Sequence, residues 1–97
     1  MTIELCPARF DDGRFVWRDV AGEVVIAERD THTIRVLNQT ASLIWTLADG
    51  STDIGQMVNA VAETFDVDQK EAGSDVDEFC RQLLEAGLVS LKGSPQS

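Results

Sequence analysis

Near Asn38 the apolar residues change their spacing from every second position to about every third or fourth, and no other feature of the chain limits its fold so strongly. Before the switch, Phe15 to Val20 and Glu23 to Glu28 are rich in Val, Ile, Phe and Trp, and only Ala21 and Gly22 separate them. Two β-rich runs around a two-residue gap read as an antiparallel hairpin. The polar stretch Arg29, Asp30, Thr31 and His32 then leads into Thr33 to Leu37, where Ile34 and Val36 alternate with their neighbours as a third strand. Connections this short make a meander, so the middle strand is paired on both sides and the outer two each keep an open edge.

After the switch three helical segments follow. The first, Thr40 to Ala48, has Asn38 or Thr40 as N-cap, a stripe of Ala41, Ile44, Trp45 and Ala48, and Gly50 just beyond its end. The second, Asp53 to Phe65, gathers Ile54, Met57, Val58, Val61, Ala62 and Phe65 on one face, with Ser51, Thr52 and Asp53 available as caps. The third, Gln69 to Ala86, has Asp68 and Glu71 at capping-box spacing and an apolar stripe of Ala72, Val76, Phe79, Cys80, Leu83 and Leu84. Gly73 lowers helix propensity inside it, which leaves Ser74 as a second candidate start, and Gly87 ends it. Leu88 to Leu91 suits a short final strand. The order predicts an α+β fold, a three-stranded antiparallel sheet followed by three helices packed on one of its faces.

The remaining segments carry no period. Residues 1–12 read as an extended N-terminal arm in which Pro7 argues against a central strand, residues 13–92 as one domain, and residues 93–97 as a disordered tail. No tract is apolar for long enough to cross a bilayer and none resembles a secretory signal, so a cytoplasmic protein is expected.

Charge narrows the partners. Residues 1–38 hold seven acids against five arginines, whereas residues 39–97 hold ten acids against three bases. Nucleic-acid binding works by neutralising phosphates with Lys and Arg, so an acidic chain of this kind is a poor candidate for it. The material for catalysis is equally thin. His32, the lone histidine, lies in a polar turn; Cys6 and Cys80 are too far apart for a CxxC or zinc-ligand pattern; and no P-loop, GxGxxG, HExxH or GxSxG sequence occurs. Cys80 belongs to an apolar helix face and Cys6 to a frayed terminal segment. The acids mostly fall at helix starts or on polar faces, so neither a carboxylate dyad nor a metal or cofactor site is expected.

What is left is geometric. The outer edge of the third strand offers backbone donors and acceptors to another chain, and an extended peptide can add there as a further strand. Shielding of the same edge by Thr33, Arg35 and the N-terminal arm is the competing reading.

Residues 15–91 also resemble the PqqD-like family, the coenzyme PQQ synthesis protein D group also known as RiPP recognition elements. The carriers are FVWRDVAGEVVIAE, IRVLNQTASLIWTLADGS, DIGQMVNAVAETFDVD and DVDEFCRQLLEAGLVSL, with the strand ending in Leu-Asn before a short apolar helix and Asp-Gly the most telling. The resemblance implies a winged helix-turn-helix-like adaptor that performs no reaction itself. Such an adaptor binds the leader of a ribosomally made precursor peptide and presents it to a modifying enzyme, commonly a radical SAM protein. It also implies that the leader pairs with the third strand and leans on the last helix. Here those positions are Thr33, Ile34, Arg35, Val36 and Leu37, with Asp75, Glu78, Phe79 and Gln82; Phe79 and Leu83 would be shared between core and groove.

Two further readings come from other classes. A docking subunit could hold a folded enzyme by its helical face without any peptide. A winged-helix DNA regulator would need the third helix to enter the groove, yet residues 69–86 carry Lys70 and Arg81 against Glu71, Asp75, Asp77, Glu78 and Glu85. The sequence fits either a monomer or a dimer paired through the free edges.

Overall fold

The computed structural model describes residues 5–10 and 13–93. Its central layer is the expected meander, with β2 (Phe15–Val20), β3 (Glu23–Glu28) and β4 (Thr33–Val36) in the spatial order β2-β3-β4. Val20 pairs with Glu23, so the hairpin loop is Ala21 and Gly22 alone. Both adopt positive φ, 54° and 87°, as a two-residue hairpin turn requires. Asp19 Oδ1 accepts the Gly22 amide at 2.9 Å and holds the corner. His32 serves the next turn with a φ of 54°.

Alternation along the strands sends Phe15, Val24 and Ile26 to the helices, where they are buried. Val16, Val20, Ile34 and Val36 point the other way and stay exposed.

The helices α1 (Gln39–Leu47), α2 (Ile54–Phe65) and α3 (Gln69–Glu85) begin at caps visible in the sequence. Asn38 accepts the Ala41 amide, Asp53 forms a full capping box with Gln56, and Asp68 accepts the Glu71 amide. The helix α3 therefore starts before Gly73 and runs through it, and Ser74 is not used as a start. A Cβ at Gly73 would meet nothing within 4 Å, so packing does not demand the glycine.

Trp45, fully buried on α1, is the centre of the core: Phe15 and Trp17 meet it edge-on, with ring centroids 5.6 and 5.9 Å away. Ile44, Met57, Val61, Val76 and Leu83 complete the packing. Each such side chain contributes about 1.5–3 kcal/mol through removal from water.

The largest departure from expectation is at the N-terminus. Residues Leu5–Arg9 form a strand, β1, antiparallel to β5 (Val89–Gly93) in a second, two-stranded sheet. Cys6 is fully buried there, which overturns its reading as part of a frayed segment. The other side of β1 is occupied too, because Gly50 donates its amide to the Pro7 carbonyl at 2.9 Å and Arg9 donates its own to the Ala48 carbonyl at 3.0 Å.

Proline is compatible with this position for a definite reason. Residue 7 faces the 48–50 loop, and the bridge centred on Ala8 and Asp49 asks it only for a carbonyl. Gly50 answers with a φ of 85° and no side chain; a Cβ there would come within 3.3 Å of the Ala8 Cβ. The carboxylate of Asp49, held below its usual range by hydrogen bonds from the Ser51 amide and then its hydroxyl, stiffens the loop. Gly93 ends β5, and residues 94–97 of the expected tail, like 1–4 and 11–12 of the expected arm, lie outside the described residues.

Candidate functional site

One hydrogen bond sets the polarity of the β4 backbone. Leu37 donates its amide to the Val24 carbonyl at 2.9 Å, so the alternate residues Arg35 and Thr33, opposite Ile26 and Glu28, also turn their amides and carbonyls toward β3. Ile34 and Val36 turn theirs outward. The open edge therefore consists of two residues, and the expected five-residue ladder from Thr33 to Leu37 is corrected to that pair.

Leu37 is engaged within the protein. Its side chain is 9% exposed and packs in the core, and its carbonyl accepts the Ser42 hydroxyl at 3.2 Å. That hydroxyl in turn accepts the Val24 amide at 2.8 Å. Ser42 thus occupies the last rung of the ladder, where β4 peels away from β3 to enter α1. It is the structural support of the candidate edge that sequence reasoning missed. A hydroxyl three positions before Trp45 on a buried helix face was the available signal, since a buried polar atom needs a partner.

The side chains of β4 divide between the two faces. Ile34 and Val36 are 69% and 64% exposed on the outer face. Thr33 and Arg35 lie on the helix side, where the Arg35 guanidinium is paired with Glu28 at 2.8 Å. These two do not shield the outward amides of Ile34 and Val36, and among the described residues β1 pairs with β5 and the 48–50 loop, not with β4.

Beyond the end of β4 lies a cavity of about 270 Å³ between the first turns of α1 and the middle of α3. Asn38, Thr40, Ala41 and Ile44 form one wall; Asp75, Glu78, Phe79 and Gln82 form the other. The structure thus brings together all four expected residues of the last helix, opposite a wall that the sequence had marked only as a cap and an apolar stripe. Ile44 is fully buried at the floor and Phe79 is half-buried beside it. Leu83 is in the core and does not line the cavity.

Behind the groove, burial and then the nearby Asp77 push the Cys80 thiol up to about 11, so it stays protonated at neutral pH and is an inert part of the packing. Among the described residues no cluster of three His, Cys, Asp or Glu side chains is placed to hold a metal ion, and no helix is long and apolar enough to cross a membrane.

Residues 23–89 match the family model described as coenzyme PQQ synthesis protein D (PqqD), a span from β3 to the first residue of β5 that includes both walls of the groove. The PqqA binding protein of Rhodopseudomonas palustris is 29% identical over 82 residues, covering 84% of this chain and 72% of that protein. Among solved structures, TbiB1 in complex with the TbiA(beta) leader peptide has a TM-score of 0.73 and 25% identity to this chain, covering 86% of it and 94% of TbiB1.

Proposed function

This chain belongs to the PqqD family, and from that premise we propose that it is a non-catalytic adaptor that binds the leader of a ribosomally made precursor peptide and presents it to the enzyme that modifies it. The leader adds as a strand along β4, exchanging main-chain hydrogen bonds with Ile34 and Val36. Its side chains on the helix side reach the cavity beyond β4 and lean on Asp75, Glu78, Phe79 and Gln82.

The observation that carries this reading is the open amide and carbonyl pair of Ile34 and Val36 ending directly at that cavity. Thr33 and Arg35 support the strand from behind, and Leu37 anchors it to the core. The similarity to a PqqA-binding protein and to a leader-bound structure supports the same assignment. The enzyme served is, on the family resemblance, of the radical SAM kind, and the setting is the cytoplasm.

The test is an amide-resolved titration with the leader of a short precursor encoded beside this gene. Ile34 and Val36 are expected to shift most, and the amides of β1 to stay in place. Ile34→Pro removes only an outward N–H, so it is expected to weaken binding at least about tenfold, the equivalent of 1.4 kcal/mol, with little change in melting temperature. Retention of binding by this variant, or shifts confined to the helices, would defeat strand addition and favour a docking subunit.

A further inference from the structure

The cavity differs in charge from a simple apolar slot. Its floor is Ile44, Ala41 and Phe79, while Asp75 and Glu78 stand at its rim one helical turn apart. Among the described residues no Lys or Arg lines it. Like charges at this spacing on a helix repel and slightly destabilise it.

Two acids elsewhere are neutralised by ion pairs. Asp77, on the other side of α3, is paired with Arg81 at 2.8 Å, and Glu28 is paired with Arg35. Among the described residues neither Asp75 nor Glu78 has a side-chain hydrogen bond or ion pair. Asp75 is half-buried and Glu78 is exposed. Extending the ridge in both directions adds Glu71 and Glu85, one turn from either end of the groove, and again no base.

An apolar floor beneath two unpaired carboxylates is complementary to a side chain with an aliphatic stem and a cationic head. From this we infer that the groove selects leaders that carry a lysine or arginine in the segment crossing α3, with its methylenes on Ala41 and Phe79 and its charged end between Asp75 and Glu78. The inference rests on the strand-addition reading above and adds the chemistry of the peptide to it. Asp75 and Glu78 are then specificity residues, while Ile34 and Val36 supply affinity without regard to sequence.

The experiment is selection of a displayed library of random peptides on the full chain and, in parallel, on the double variant Asp75→Asn, Glu78→Gln. Removing a like-charge pair leaves the variant at least as stable as the parent, so it presents the same folded groove. Peptides recovered on the parent are expected to be enriched in Lys or Arg at one position, and that enrichment is expected to vanish on the variant. In a recovered peptide, replacing the basic residue by norleucine should weaken binding about fivefold at low salt, and added salt should shrink the difference.

Recovered peptides without a favoured basic position, or an enrichment that persists on the variant, would overturn the inference. Whether those peptides move the Ile34 and Val36 amides decides the underlying reading separately. Shifts there without charge selection retain strand addition and discard the basic anchor; a library that yields no binder discards both.

Discussion

The strands β1 and β4 are both short, and they have exchanged the roles their sequences suggest. The strand β1 contains Pro7 and no alternation, yet it lies between β5 and the 48–50 loop with Cys6, Pro7 and Ala8 buried. By contrast β4 reads as a good strand, yet among the described residues it is paired on one side only and leaves Ile34 and Val36 exposed. Residue type announces that a segment can be extended; distant partners decide whether it is closed. The closed ribbon fastens the terminus to the core, and the open edge is what remains available to another molecule.

Amide hydrogen exchange gives the sharpest test of this contrast. The Ala8 amide faces β5 and is expected to exchange more than about a thousandfold more slowly than those of Ile34 and Val36, which have no acceptor among the described residues. Comparable rates would show that the ribbon opens as readily as the edge and would break the comparison. A bound leader should slow exchange at Ile34 and Val36 and leave Ala8 unchanged.

A smaller effect is expected where β4 is tied down. Ser42→Ala strips the partner from the buried Val24 amide and the Leu37 carbonyl together, so it is expected to cost about 2 kcal/mol in urea denaturation. Peptide binding should weaken with it, because the open edge loses its fixed end. A loss below about 0.5 kcal/mol would mean that the junction closes by other means.

The smallest effect asks whether openness at β4 extends into the packing behind α3. The folded Cys80 thiol titrates near 11, above its ordinary 9.0, because of burial and then Asp77. A raised folded value favours the protonated native state, so this contribution is complete below pH 9 and is lost as pH rises toward 11. Melting temperature should fall over that window, and less steeply in Cys80→Ala. Rapid labelling of Cys80 at neutral pH would instead place solvent behind the groove.

Local signals account for most of what the sequence disclosed. The hairpin at Ala21 and Gly22, the caps Asn38, Asp53 and Asp68, and the stop at Gly87 all depend on neighbours a few residues away. The pairing of Leu5 with Gly93 spans almost the entire chain, and nothing near Pro7 advertises it. The same distinction holds in the site. Asp75, Glu78, Phe79 and Gln82 share a helix face, but it was the resemblance to the PqqD-like family, not their spacing, that pointed to them. Which β4 amides face outward depends on the register with β3, fixed by one bond between Leu37 and Val24, and no residue preference encodes that parity. Ser42 was hidden because one of its two partners, Val24 of β3, lies 18 residues away.

The outer face of the meander has a bearing on how the protein behaves in solution. Val16, Val20, Ile34 and Val36 lie beside an edge that would accept any extended chain, including that of an identical molecule. A net charge of −9 opposes such encounters at neutral pH. Close to the isoelectric point of 4.3 that repulsion disappears, and unliganded protein should then gather into edge-joined ribbons, a tendency that an occupied edge would suppress.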